Sequence, residues 1–503
     1  MELILGIDAG TTSAKAVCFD SEGNQQGAHT SGYALREPEL GEAEQDPLAV
    51  IEATLEAARA SAGQSRDVAG LSLSTAMHSL VALDGDDRPL TALITWADSR
   101  ATEQAERLRT EHPQLHARTG TPLHPMAPLP KLVWFRENQP DVFKRAQRWV
   151  GIKELLIHRL TGEWVVDASC ASGTGLMSLE AGQWDPEALS IAGVDAEQLC
   201  RIVPSTETLA LADDRLGLRT GSPVVVGAGD GPLANLGLGA VRPGVAACSI
   251  GTSGALRLMV ERPGIDPAGR LFCFVLSAGR WVVGGAINNG GSVLQWTGSA
   301  LAPDLGSHAE ERLLELAGRV PPGSEGLIML PYLLSERAPS WDPLARGAYV
   351  GLRHFHQRGH LIRAAIEGVC QQLALVLASM RDARAEVREL RATGGFSRSR
   401  LWRQMLSDVL GMPIGFAAGR EGSAFGAALL AMETLGLVSS IDQAAELVQI
   451  EDVNEPDPEV AAVYAELLPT FAELYEDLTP AFRGLASVER SHPGPARTRQ
   501  SPP

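Results

Sequence analysis

At 503 residues the chain is too long for one hydrophobic core, so two large domains are expected. A hydrophobic content of 45% with 21% charged residues belongs to a globular protein and excludes a disordered or fibrous one. The formal charge of −18 argues against nucleic acid and anionic membrane as partners, and leaves anionic small molecules open at local cationic groups.

Residues 3–7 read as a buried strand and residues 14–19 as a second. The turn between them, Gly10-Thr11-Thr12-Ser13, reads as a phosphate grip. Gly10 lets backbone amides approach an anion, the three hydroxyls add donors, and Lys15 lies in the same hairpin. Asp8, at the strand end, is a hard oxygen ligand suited to Mg²⁺. The spacing is not that of a Gly-Lys-Ser/Thr phosphate loop. The opening reads as strand and not as a leader, and no apolar run reads as long enough to span a bilayer. The six cysteines lack metal-site spacing, so a reduced, cytoplasmic protein is expected.

Asp46 and Pro47 read as N-cap and first residue of a helix with an apolar stripe of Leu48, Ile51, Leu55 and Ala58, stopped by Gly63. A strand over 68–74 leads to Met77-His78-Ser79, at the strand end where open α/β sheets bind ligands. Residues 79–83 and 90–94 are expected to pair as a hairpin around Asp84-Gly85-Asp86-Asp87. The second of these delivers Trp96, Asp98 and Arg100. A Trp there can stack on a polyol, and Asp98 either bonds its hydroxyls or caps the next helix. Residues 119–126, with His124, form a proline-rich loop before a helix carrying Lys131, Leu132, Trp134 and Phe135.

A strand over 223–227 ends in Ala228-Gly229-Asp230-Gly231-Pro232, and a helix follows. Asp230 thus stands at a strand end and a helix start, where the dipole favours the ionised carboxylate that a general base needs. A boundary is expected near Arg242-Pro243-Gly244. Beyond it, a strand over 245–250, the turn Gly251-Thr252-Ser253-Gly254 and a strand over 255–260 repeat the opening, which points to an internal duplication. Asn288 and Asn289 follow a strand over 281–285, either facing the cleft or capping the next helix; residues 335–346, with Arg337 and Trp341, form a loop of unassigned role. A long helix covers 357–382 and a strand 387–392. Thr393-Gly394-Gly395-Phe396-Ser397 then leaves room for a purine or its ribose before a helix. Arg420-Glu421-Gly422-Ser423-Ala424 opens a small-residue helix, and 486–503 reads as a disordered tail.

These pieces together resemble the FGGY family of carbohydrate kinases over residues 3–478. Two long patterns carry the resemblance: Met126-x-Pro128-x-x-Lys131-Leu132-x-Trp134-Phe135-x-Glu137-Asn138, and Gly347-x-Tyr349-x-Gly351-Leu352 followed by His360-Leu361-x-x-Ala364-Ala365-Ile366-Glu367. The resemblance implies an α/β fold of two actin-like (ribonuclease H-like) ATPase domains closing over a cleft. They are expected over 1–242 for the sugar and first phosphate loop and 243–485 for the nucleotide, with 486–503 as tail. It also implies ATP with Mg²⁺, Asp8 at the metal, and Gly10, Thr11, Thr12, Gly251 and Thr252 as phosphate loops. Gly394, Gly395 and Ser397 fall in the adenosine region, and Asp230 matches the catalytic base. Met77 and His78 match substrate contacts of the xylulose-kinase branch, with Trp96, Asp98 and His124 beside the sugar. The segments around Met77, Trp96 and His124 are most similar to the gluconate-kinase branch, whereas Ala76, Ser79 and Ala97 depart from the xylulose pattern. Phosphorylation of gluconate at C6 is therefore the expected reaction. A pentulose kinase is the alternative, and an actin- or chaperone-like ATPase switch the alternative from another class. A gluconate carboxylate would need a cation or amide donors, and His78, His124 and Arg100 are the candidates. The family is often dimeric, so a homodimer is an expectation.

Overall fold

Leu3–Ala9 (β1) and Ser13–Phe19 (β2) pair antiparallel, with Asp8 opposite Lys15. Every β1 side chain except that of Asp8 is buried, as a near-continuous apolar run demands. The first sheet adds Gln25–Gly32 (β3), Val68–Thr75 (β4), Thr208–Ala210 (β5) and Pro223–Gly229 (β6), in the order β5-β6-β4-β1-β2-β3. The second contains Val245–Ile250 (β7), Gly254–Val260 (β8), Phe272–Ser277 (β9), Arg280–Ile287 (β10), Glu389–Thr393 (β11), Ile414–Ala417 (β12) and Ile450–Asn454 (β13), in the order β9-β10-β8-β7-β11-β12-β13. The computed structural model describes residues 2–39, 41–63, 68–212, 214–417 and 422–492.

The two sheets are the same object. Each central strand, β1 or β7, has an antiparallel hairpin partner on one side and two successive parallel strands on the other. An antiparallel strand then closes each end of the matching set. Strand β9 is an extra edge on the second sheet. The duplication expected from two Gly-Thr turns therefore extends through six strands.

Helix α1 (Pro47–Ala62) starts as expected, with Asp46 Oδ1 accepting from the amides of Leu48 at 2.9 Å and Ala49 at 3.4 Å. Its buried face runs through Val50, Ile51, Leu55 and Ala58, but Leu48 is 59% exposed and does not belong to the stripe. The expected hairpin over 79–94 is reduced to isolated bridges. Val81–Leu83 pairs instead with Arg148–Val150, and Leu93–Ile94 with Glu44–Gln45. Both alternatives bury apolar residues that a free hairpin would leave on one face.

Helices α2 (Asp230–Gly237) and α3 (Gly291–Leu301) begin at the ends of β6 and β10. Helix α4 (Arg358–Asp382) has the length and apolarity of a membrane span, and most of it is buried inside the second half. Helix α5 (Gly422–Thr434) leaves the second sheet and packs against β1 and α2 of the first half. Contact there is backbone to backbone: a Cβ on Gly6 would sit 2.1 Å from Ala424 O, and one on Gly426 2.0 Å from Leu233 O. Arg420 and Glu421, expected to open this helix, lie outside the described residues. The tail expectation is corrected in part. One helix spans Pro458–Ser491, held by Tyr464 OH donating to Glu367 Oε1 at 2.7 Å, so its last turns occupy positions read as disordered. Residues 493–503 lie outside the described residues.

Candidate active site

Asp230 is the first residue of α2, with Gly231 N donating to its Oδ1 at 2.7 Å. No hydrogen bond reaches its Oδ2 among the described residues. Burial, and then the negative charge of Asp8, raise its carboxyl to about 6, against the opposing pull of the Gly231 amide, Arg257 and Arg337. Asp8 is held by Ser74 Oγ, which donates to its Oδ1 at 2.6 Å from the adjacent strand. The two carboxylates thus feel each other across the ends of three neighbouring strands, β1, β4 and β6.

The first phosphate turn is tied from several sides. Tyr33 OH donates to Gly10 O at 2.6 Å, Gln45 Nε2 to Thr11 O at 2.5 Å, and Trp96 Nε1 to Thr11 Oγ1 at 2.9 Å. Thr12 is exposed at the tip, while Ser13 and Lys15 start β2. The second turn is fixed by backbone, Gly290 N donating to Thr252 O at 3.0 Å and Gly291 N to Gly251 O at 2.6 Å. Beside it opens a cavity of about 590 Å³, lined by Gly251, Thr252, Gly395 and the apolar walls of Leu294, Leu313 and Phe396. Gly394 does not line it. Its φ of 120° brings it against β7, where a Cβ would lie 2.1 Å from Ile250 O, and Ser397 Oγ donates to Gly394 O at 2.7 Å. Those two residues shape the cavity that Gly395 faces.

On the other side of Asp230 lies the expected sugar wall. Met77 is buried between Gly229 and Gly173, close enough that a Cβ on either glycine would strike its side chain at 2.6 Å. His78 is held at a left-handed φ of 68°, its Nδ1 2.7 Å from Gly173 O, and burial lowers its imidazole to about 3. It is neutral, with Nδ1–H donated to the carbonyl, so Nε2 carries the lone pair. His124, 6% exposed, has the opposite tautomer: Met126 N donates to Nδ1 at 3.2 Å, so the proton sits on Nε2. Burial, then Arg337, hold its imidazole well below the usual range. Lys131 gathers the three loops of this wall, its Nζ donating to His78 O, Thr95 O and Met126 O at 2.7–2.8 Å.

Asp98 stands apart from that wall. Its carboxylate is buried and accepts from Ala43 N at 2.8 Å and Arg100 N at 3.0 Å, and from the Arg100 guanidinium. Arg100 is likewise consumed, by Asp98, Glu44 and Glu42. The sequence reading of Asp98 as a sugar contact fails because no lone pair is left for a ligand; its work is to fasten the 42–44 segment.

Two cations that the sequence did not single out complete the site. Arg257, on β8, donates to Ser249 Oγ at 3.1 Å and faces Asp230. Arg337 lies over the Trp96 ring at 4.6 Å and donates to Ile287 O at 3.1 Å. Burial lowers its guanidinium to about 10, while Glu336 and Asp230 oppose that. Its loop is held by Asn288 Nδ2 on Leu334 O at 2.9 Å, Asn289 Nδ2 on Ser335 O at 2.7 Å, and Glu336 accepting Asn288 N at 2.8 Å. The asparagines therefore neither face the cleft nor cap α3; they hold the Arg337 loop. Three long-range contacts decide that role, and none has a local pattern.

The candidate site thus comprises a half-buried carboxylate at a helix start, two Gly-Thr turns from duplicated sheets, a cavity of about 590 Å³ beside the second turn, and a set of His, Trp and Arg side chains. Residues 3–237 match the N-terminal domain of the FGGY family of carbohydrate kinases, and residues 246–435 match its C-terminal domain. The chain belongs to the FGGY family of carbohydrate kinases. It is 38% identical to a gluconokinase of Bacillus subtilis (strain 168), over 97% of this chain and 98% of the relative. A crystal structure of gluconate kinase from Lactobacillus acidophilus superposes with a TM-score of 0.91 at 35% identity, covering 96% of this chain and 99% of the other. A ligand-bound xylulose kinase from the same organism gives 0.92 at 35% identity, covering 96% and 100%. The protein is thus a carbohydrate kinase with the actin-like, two-domain fold, and ATP is its cosubstrate.

Proposed function

We propose that this kinase transfers the γ-phosphoryl group of ATP to the C6 hydroxyl of D-gluconate, with Asp230 as general base. The reading is supported by Asp230 at the start of α2, under the influence of the Asp8 charge and directly after Gly229, against which the Met77 side chain packs. A carboxylate titrating near 6 is ionised at neutral pH, yet basic enough to accept a hydroxyl proton as the oxygen attacks. Phosphoryl transfer rests mainly on positioning and charge neutralisation. Here the amides and hydroxyls of Gly10–Ser13 and Gly251–Thr252 would hold the phosphates, and Arg257 and Arg337 would face the developing charge. In this reading residues 1–242 carry the sugar and first phosphate loop, residues 243–485 the nucleotide.

Among the described residues no cluster of three or more His, Cys, Asp or Glu forms a metal cage. The donor set instead fits Mg²⁺, which binds through one or two carboxylates plus substrate phosphates. Asp8, steadied by Ser74, is the residue that would hold it, and a bound ion would neutralise phosphate charge.

The gluconokinase relative supports gluconate as acceptor, while the ligand-bound xylulose kinase neighbour favours a pentulose as the second reading. ADP release assayed with D-gluconate, D-xylulose, L-ribulose and glycerol separates them. D-gluconate is expected to give the highest kcat/KM; a higher value with D-xylulose overturns the assignment. ATP turnover that is unchanged by any acceptor would point to a switch ATPase instead.

A further inference from the structure

The sugar wall contains two buried N–H donors with no partner among the described residues, His124 Nε2 and Arg337 Nε. Buried donors are normally satisfied, so an unpartnered pair on adjoining segments is a place where a ligand can supply acceptors. They belong together. Arg337 is the charge that bears most on His124, and the ring of Trp341, which follows Arg337 in the same loop, meets His124 edge-on at 5.6 Å. The tautomers sharpen the point. His124 presents a proton and His78 a lone pair, so the former suits an anionic oxygen and the latter a hydroxyl hydrogen. Arg100, the other cation considered for this role, is neutralised by three carboxylates. Arg337 lies over the Trp96 ring, whose indole N–H is bonded to Thr11 Oγ1, so this pair of donors adjoins the first turn.

We infer that His124 Nε2–H and Arg337 Nε–H form the carboxylate subsite that selects an aldonic acid over the uncharged sugar or polyol of the same length. The inference rests on the sugar-acid reading above and goes further in naming its determinants. A local cation in a chain of net charge −18 is then a specificity device: it offsets a field that otherwise repels the acid.

The test measures dissociation constants by calorimetry for D-gluconate and D-glucitol, which share a carbon skeleton and differ in the carboxylate. In the wild-type protein the acid should bind at least about 10-fold tighter. In His124→Leu and Arg337→Met that preference should shrink by about 10- to 100-fold each, the size of a lost charge-assisted hydrogen bond. Arg337→Lys, which keeps the charge and loses Nε, should retain part of the preference. Melting curves and ATP binding report whether each variant is folded. Equal binding of acid and polyol by the wild type overturns the inference, as does an acid preference that survives in both His124→Leu and Arg337→Met. If D-xylulose is the better substrate, the gluconate assignment fails. An acid preference lost in the variants would still uphold the subsite.

Discussion

The two halves carry the same turn at the same place and use it differently. In the first, Asp8 stands two residues before Gly10 and opposite Ser74; in the second, Ser249 stands two residues before Gly251 and opposite Thr393. Asp8 accepts from a hydroxyl and raises the carboxyl of Asp230, whereas Ser249 accepts from Arg257, which lowers it. The first turn is pinned by side chains, those of Tyr33, Gln45 and Trp96. The second is pinned by glycine amides at the start of α3. One copy of the duplication thus carries an acid at this position, and the other a hydroxyl that meets an arginine.

The strongest way to break this contrast is to remove the acid on which both halves act. Asp230→Asn should lower kcat by about 10²- to 10⁴-fold while leaving calorimetric ATP binding nearly intact. In the parent enzyme, kcat/KM should fall as pH drops through about 6, where Asp230 takes up its proton. Stability should respond with the opposite sign. The folded carboxyl titrates near 6, above its ordinary value of 3.8. Between those values the folded chain holds a proton that the unfolded chain has lost, so stability is lost as pH rises through about 6. Asp230→Asn should therefore raise Tm at about pH 8 and leave it nearly unchanged at about pH 4. An equal Tm shift at both values would show that the charge is not what strains the site.

A smaller effect probes the second turn. A Cβ on Gly290 would lie 2.6 Å from Ser253 O and 2.9 Å from Gly251 O, both backbone atoms of the second turn. Gly290→Ala should cost about 1–3 kcal/mol by denaturant unfolding and raise the KM for ATP more than that for the sugar. An unaltered KM for ATP would remove the turn from nucleotide binding.

Much of this was legible in the residues, for a local reason. The first Gly-Thr turn, the second Gly-Thr turn and Asp230 at a strand–helix junction are each written in fewer than ten consecutive positions. Arg257 and Arg337 owe their positions to strands and loops brought together by the fold, and no periodicity announces them. Asp98 was misread because a buried carboxylate beside an aromatic looks the same in sequence whether its oxygens face a ligand or, as here, Arg100 and Ala43 N. The last helix was missed because Pro469 and Pro480 lie inside it, where proline ordinarily ends a helix.

Asp8→Asn and Ser249→Ala test the diverged position directly. Losing the Asp8 charge removes a contribution that raises Asp230, so the acid limb of the kcat/KM profile should move to lower pH. Ser249→Ala leaves every formal charge in place and should leave the limb where it is. Matching shifts in the two variants would mean that the halves have not specialised electrostatically.

The smallest expected effect concerns the thread between sugar and phosphate. Trp96 stacks under Arg337 with its ring and donates to Thr11 Oγ1 with its indole N–H. Trp96→Phe keeps the stack and deletes only the hydrogen bond, a loss of about 1 kcal/mol, or roughly fivefold. If that bond carries information, the loss should not fall on either ligand alone. It should fall on their coupling, because by linkage a sugar that steadies Thr11 must tighten ATP by the factor that ATP tightens sugar. Calorimetry with a non-hydrolysable ATP analogue, with and without D-gluconate, reads that factor. A coupling unchanged in Trp96→Phe, with sugar affinity alone reduced, would make Trp96 a wall of the pocket and leave the two halves to communicate through their other contacts, among them the packed helices α2 and α5 and the bonds of Arg109 to Trp341 O and Val275 N to Ser172 Oγ.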